Sequence, residues 1–267
     1  MLVVEQNGLK YLTFERFGNV THGIFSRHGG VSNNHATSLN VGGTVGDEPG
    51  SVLANKQILF GALGKNTSSM FDCWQVHGPD YVLANSPHTA ASHTNPREIR
   101  ADALLTANPD VTLFMRFADC TPVLLYDPVR RVVGIAHAGW QGTVKHAASN
   151  LVRGFTHIFG SDPGDIQAVI GPSIGPCHYE VGHQVIEQVI TSYGRKANEL
   201  LQESAHGKAH FNMWAANEYD LRNAGVEHIE LAGICTACHT NDWFSHRAEK
   251  GRTGRFGVIM ALPEGME

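Results

Sequence analysis

Two apolar runs, Val111 to Phe117 and Val123 to Tyr126, are separated only by Ala118-Asp119-Cys120-Thr121-Pro122, and Asp127-Pro128 then turns the chain into a third run, Val132 to Ala136. Short runs rich in Val, Leu, Phe and Tyr read as strands. A parallel crossover needs a dozen or more residues, so links this short predict antiparallel neighbours and exclude a purely doubly wound parallel sheet. Further strands are expected at Val20 to Phe25, Ile166 to Ile170, His228 to Ala232 and Phe256 to Leu262. Between them a 3.6-residue spacing predicts helices over Val52 to Leu63, Val144 to Phe159, Val185 to Tyr193 and Met213 to Ala224, the last capped by Asn212. The expected class is α/β, more strictly α+β: a single layered catalytic domain over residues 1–267 with a mixed, partly antiparallel sheet. The polar stretch Ser86 to Arg97 reads as a surface loop.

Composition excludes several functions. With 42% hydrophobic and 17% charged residues the chain has ample apolar material for a core. A formal net charge of -5 without a run of Lys or Arg gives no footprint for nucleic acid or an anionic membrane. The start, Met1 to Asn7, has neither a basic n-region nor a long apolar stretch, so a cytoplasmic location is expected. Five cysteines, an odd number in a chain this long, argue against a disulfide framework and for free thiols or ligands.

Several motifs fail on context. Gly171-Pro172-Ser173-Ile174-Gly175 matches a nucleophile elbow, but Pro176-Cys177-His178-Tyr179 follows where a helix should begin, so Ser173 reads as a turn residue. Cys235-Thr236-Ala237-Cys238-His239 matches haem attachment without an export signal, and no second C-x-x-C completes a zinc ribbon. His228-Ile229-Glu230 lies too close to Cys235 for a deaminase signature, and its residues should alternate faces in a strand with Ile229 buried. The Cys235 and Cys238 pair is therefore expected to be incidental or structural.

Three separated segments each end an apolar run with a metal-ligating side chain: His77 in Gln75-Val76-His77-Gly78, Cys120 in the Asp119 to Pro122 link, and His137 in Ala136-His137-Ala138-Gly139-Trp140-Gln141. Two imidazoles and a thiolate leave a coordination position open, as catalytic sites require. Singly, His77 also reads as a loop histidine and Cys120 as a small core residue, and spacing does not group the three. The glycines of Ser26-Arg27-His28-Gly29-Gly30 beside Arg27 suit an anion or a plain turn equally, as do the segments around Arg247 and Arg255.

At these residues the sequence resembles a family variously described as multi-copper polyphenol oxidase (laccase-like), peptidoglycan editing factor and purine nucleoside phosphorylase. The likeness is carried by Ser26 to Ser32, Leu39-Asn40-Val41-Gly42 with Gly46-Asp47, Gln75 to Gly78, Ala101-Asp102 to Thr106, Asp119 to Pro122, His137 to Thr143, Gly171 to Gly175 with Cys177 to Val181, and Thr253-Gly254-Arg255. His246 departs from it, standing where Tyr commonly precedes the Arg, and the Cys238-His239 tract is unusual. The resemblance implies a fold similar to the cytotoxic necrotising factor catalytic domain and makes His77, Cys120 and His137 the ligands of a catalytic zinc, with copper a possible substitute. It further implies phosphorolysis of adenosine, inosine, guanosine and methylthioadenosine, with deamination of adenosine. Substrates would then be purine nucleosides and phosphate. Arg27, with Arg247 or Arg255 in reserve, would orient phosphate; Asn40, Gln75 and Gln141 would bind substrate; Asp119 would act as general base or orient a ligand. The alternatives are an amide hydrolase editing a peptidoglycan precursor, using the zinc or a Cys120-His137 pair, and a copper-dependent polyphenol oxidase, which the absence of H-x-H pairs disfavours.

Overall fold

The apolar runs become strands buried on both faces. All seven residues of Val132–Ala138 and all six of Phe256–Ala261 are buried, which requires material above and below each sheet. The computed structural model describes residues 1–87 and 99–263. In chain order its strands begin with β1 (Leu2–Gln6), β2 (Leu9–Thr13), β3 (Thr21–Phe25), β4 (Met70–Phe71), β5 (Tyr81–Leu83), β6 (Ala103–Thr106), β7 (Thr112–Phe117) and β8 (Thr121–Asp127). They continue with β9 (Val132–Ala138), β10 (Gln167–Ile170), β11 (Glu180–Val181), β12 (Leu201–Glu203), β13 (Ala209–Phe211), β14 (His228–Leu231) and β15 (Phe256–Ala261). The α-helices are α1 (Pro49–Ala62), α2 (Trp140–Val144), α3 (Ala147–Phe159), α4 (His183–Tyr193), α5 (Ala197–Leu200) and α6 (Met213–Asn223).

Two six-stranded sheets, ordered β1-β2-β3-β15-β7-β4 and β14-β10-β8-β9-β6-β5, stack face to face. Alternation along the strands explains the layering. Leu113, Met115 and Phe117 of β7 join Leu104, Leu124, Val133, Ile135 and Val169 of the second sheet in one inter-sheet core. Phe114 and Ile259 point the other way, onto Leu59 and Phe60 of α1. On the far side, Ala103, Val123, Leu125 and Ala136 pack on Leu151, Val152 and Phe155 of α3 and on Leu221 of α6. Truncating a central ring such as Phe117 to Ala should cost about 3–5 kcal/mol. A three-stranded sheet, β11-β13-β12, packs with α4 to α6 around Val189, Phe211 and Met213. The fold is mixed α+β, with antiparallel pairs predominating and β4–β7, β5–β6 and β10–β14 parallel.

One expectation is corrected. β7 and β8 are not antiparallel neighbours: β7 lies in the first sheet and β8 in the second. The rule about short links holds only within one sheet. Four Cα steps from Phe117 to Thr121, at ~3.3–3.6 Å each, suffice to cross the ~10 Å between stacked sheets. The turn at Asp127-Pro128 does form the β8–β9 hairpin. The helix expected over Val144 to Phe159 is broken between α2 and α3, where His146 takes a left-handed φ of 59°. Its ring bridges Asp220 and Ser192, which gives the break a partner on either side. Asn212 caps α6 as expected, accepting from the Ala215 amide. Ile229 is half-buried and Glu230 holds the N-terminal amine and Arg16. From residue 88 the expected loop at 86–97 lies outside the described residues. Among the described residues, no helix is long and apolar enough to cross a membrane.

Candidate metal centre

The ligating segments meet at one end of the sandwich, where the chain passes between sheets. His77 sits on the connection from β4 to β5 and Cys120 on the connection from β7 to β8, each joining one sheet to the other. His137 is the penultimate residue of β9, on the inter-sheet face, its ring centroid 5.1 Å from that of His77 and 5.3 Å from that of Phe117. The ligand atoms of His77, Cys120 and His137 all lie within 4.8 Å of one another.

Asp102, absent from the expected site residues, organises this group. Fully buried at the head of β6, it accepts from His137 Nδ1 at 2.8 Å, which leaves Nε2 as the nitrogen that could ligate a metal. Its other oxygen accepts from the Val76 amide at 2.9 Å and the Gly78 amide at 2.7 Å. These bonds clasp His77 from both sides and hold its left-handed backbone, φ 60°, a conformation costing about 1–3 kcal/mol in a non-glycine residue. One carboxylate thus positions two of the three ligands.

Burial alone opposes a Cys120 thiolate, but the His137 charge and hydrogen bonds from both imidazoles outweigh it and bring the thiol down to about 6. Burial also opposes a charged His137, yet Cys120 and Asp102 hold its pKa up at about 9. Metal-free, the two form a thiolate–imidazolium pair; metal binding needs neutral imidazole and so expels a proton. The donor set fits zinc or copper. Gly139 gives an independent sign of a cradle: a Cβ there would fall 2.7 Å from Cys120 Sγ and 3.2 Å from His77 Cδ2.

Beside the tripod lies a cavity of about 430 Å³, whose lining includes Lys56, Trp74, Arg116 and Arg255 with His77 and His137. Burial and the Arg116 charge lower the Lys56 pKa. Arg116 pairs with Asp72 at 2.8 Å. Arg255 is seated by Asn40, whose Oδ1 accepts from the Arg255 and Gly42 amides, so Asn40 shapes the wall. Arg27 and Arg247 are engaged elsewhere. Arg27 donates to the Thr37 and Thr240 carbonyls and to Glu249, over the Phe244 ring. Arg247 donates to the Glu180 carbonyl and lies over Tyr179. Gln75 lines the cavity, but its amide is tied to the Arg116 backbone and guanidinium. Gln141 is exposed on α2. Both oxygens of Asp119 accept hydrogen bonds, one from Thr236 Oγ1 at 2.6 Å and one from the Arg247 amide at 2.8 Å, and neither partner is a tripod imidazole.

Other constellations sort themselves by their hydrogen bonds. Ser173 is fully buried and accepts from Thr121 Oγ1 and Trp214 Nε1, a structural arrangement. Ser192, His146 and Asp220 form a hydrolase-like line beside a separate cavity of about 490 Å³. There the Ser192 hydroxyl donates to the Val144 carbonyl, which directs its proton away from His146. Cys235 and Cys238 are not alone, contrary to expectation. Cys177 and His178 join them, the four ligand atoms lying within 4.8 Å of one another. A C-x-x-C search cannot find that partner because it is a Cys-His pair 61 residues upstream of Cys238.

A family model described as multi-copper polyphenol oxidoreductase laccase matches residues 21–263. A purine nucleoside phosphorylase of Deinococcus radiodurans is 35% identical over 91% of this chain and 90% of its own length. One from Bacteroides thetaiotaomicron is 31% identical over 92% and 93%. The crystal structure of YlmD from Geobacillus stearothermophilus superposes with a TM-score of 0.92 at 31% identity, covering 98% of each chain. Since the matched span includes both stacked sheets from β3 onward and all three tripod ligands, the chain belongs to the multi-copper polyphenol oxidoreductase laccase family.

Proposed function

We propose that this chain is a cytoplasmic, zinc-dependent purine nucleoside phosphorylase acting on adenosine, inosine, guanosine and methylthioadenosine, and that it also deaminates adenosine. The observation that carries the reading is the juxtaposition of the His77, Cys120 and His137 tripod with a cavity that combines cationic side chains and an indole. The relatives' names supply the substrate class. Zinc held by the three ligands supplies Lewis acidity at an open position, the property needed to activate an oxygen at neutral pH. The other roles fall to the chain itself. Asp102 keeps the His137 tautomer and the His77 loop fixed. Arg255, with Arg116 and Lys56 in the same cavity lining, orients phosphate, because guanidinium groups match phosphate oxygens. Trp74, in the lining of the same cavity, supplies aromatic surface for the purine.

A second reading, acyl-bond cleavage by a Cys120 nucleophile paired with His137, is favoured by the thiol's pKa of about 6. The two readings separate in one assay: adenosine incubated with metal-loaded protein, with and without phosphate, followed by mass spectrometry. Adenine released only with phosphate, together with inosine, is the expected result. Absence of both products from fully loaded protein overturns the proposal.

A further inference from the structure

We propose that Cys177, His178, Cys235 and Cys238 form a second metal site, closed by four protein ligands, that takes zinc and staples two loops together. It is independent of the nucleoside reading. Cys177 Sγ and Cys238 Sγ are 3.5 Å apart, and His178 Nδ1 lies 3.3 Å from each of them and 3.9 Å from Cys235 Sγ. A tetrahedral zinc with Zn–S of ~2.3 Å and Zn–N of ~2.0–2.1 Å sets S···S edges of ~3.8 Å and S···N edges of ~3.5 Å. Four of the six edges therefore lie within about 0.5 Å of a zinc-sized tetrahedron, and the two from Cys235 to the other thiols are within 4.8 Å. Each pair is presented by a tight turn. The Cys238 and His239 amides donate to the Cys235 carbonyl, and the His178 and Tyr179 amides donate to the Gly175 carbonyl. The Gly175 amide also donates to Cys235 Sγ at 3.2 Å, which fixes the position of that sulfur.

A disulfide explains less. Cys177 and Cys238 are adjacent enough to be drawn into one, but that bond uses neither Cys235 nor His178, both of which aim at the same point. Four protein donors leave no position for substrate, so the site is structural rather than catalytic. Its position indicates its purpose. The 235–238 turn contains Thr236, which holds Asp119, and the 177–178 turn presents the His178 carbonyl to Arg247, whose amide holds the other Asp119 oxygen. Tying the turns together steadies the wall behind Cys120.

The test is metal content and coordination of the purified full-length protein, grown with zinc and handled under reductant. Wild type should carry two zinc per chain, with X-ray absorption showing a mixture of sulfur-rich and nitrogen-rich sites. Cys238→Ser, at an exposed position, and Cys177→Ser should each lose one equivalent, the sulfur-rich signal, and unfold at lower temperature. Cys120→Ala should also lose one equivalent but keep that signal. The sulfur-rich signal of the wild type does not depend on any variant folding, and its absence from zinc-replete protein overturns the proposal. A single equivalent in wild type that vanishes with Cys120→Ala overturns the proposal, as does a Cys177–Cys238 disulfide in zinc-replete protein.

Discussion

The tripod and the four-residue cluster use the same donor chemistry and differ in what surrounds it. The tripod's ligands come from two sheet-to-sheet connections and a strand end, and a buried carboxylate positions two of them. The cluster's ligands come from two surface turns held by backbone hydrogen bonds, with Cys177, His178 and Cys238 exposed. Three ligands beside a cavity suit turnover; four ligands without one suit a staple. The lesson is that ligand count and the neighbouring space, rather than residue identity, separate the two roles.

The sharpest way to break this contrast is to remove one thiol from each group. Cys120→Ala should reduce turnover by at least about three powers of ten, since Lewis-acid stabilisation worth several kcal/mol disappears, while the sandwich still folds. Cys177→Ser should leave turnover far less affected. Steady-state rates of the two variants check this, and similar losses from both would abolish the distinction. Next in size is Asp102→Asn. Its amide can accept from His137 or from the Val76 and Gly78 amides but not serve both as the carboxylate does, so tripod metal affinity should fall about 10–100-fold. Metal competition with a chelator measures it, and wild-type affinity would show that Asp102 is only a fold residue.

Arg255→Ala should lower phosphorolysis by about one to two powers of ten, the effect of a charged hydrogen bond worth about 1.5–3 kcal/mol, with a smaller effect on deamination. Arg27→Ala should instead lower stability, because its partners are the Thr37 and Thr240 carbonyls and Glu249. A phosphate titration comparing adenine with inosine formation separates them; a selective phosphate defect in the Arg27 variant reverses the assignment. Gly139→Ala should destabilise the metal-loaded state by about 1–3 kcal/mol, as overpacking beside Cys120 Sγ does, and isothermal metal titration reads that change. Unaltered affinity would mean that the loop yields without moving the thiol.

How much of this was legible in the residues depends on how local each feature is. The seven predicted strands and the cap at Asn212 follow from patterns within a few residues of each position, and the structure has them. The partition of β7 and β8 between sheets is not local: the same three-residue link serves a turn within one sheet or a crossing between two. Asp102 was overlooked for a similar reason. A carboxylate at the head of an apolar run looks like a turn residue until its partners, 24 to 35 residues away, are in place. Arg27 shows the opposite limit, since an arginine beside two glycines matches an anion site by composition, whereas its guanidinium donates to the Thr37 and Thr240 carbonyls and to Glu249.

The smallest expected effect concerns pH and the metal-free tripod. His137 is raised from 6.5 to about 9, so its contribution to stability is complete below 6.5 and is lost as pH rises through 9. Cys120 is lowered from 9.0 to about 6, so its contribution is complete above 9 and is lost as pH falls through 6. Between 6.5 and 9 the folded state has released the thiol proton that the unfolded chain keeps, and has kept the imidazole proton that the unfolded chain releases. Equal numbers of protons are bound on both sides, and the two slopes cancel. The pair therefore contributes a nearly level stability across that window. Cys120→Ala removes one slope and leaves the other, because His137 still has Asp102 as partner. Denaturant titrations of the metal-free proteins should show a wild-type advantage that widens with rising pH. Parallel curves for the two proteins would mean that Cys120 and His137 do not ionise as a pair, and the proton release expected on metal binding would then have to come from elsewhere.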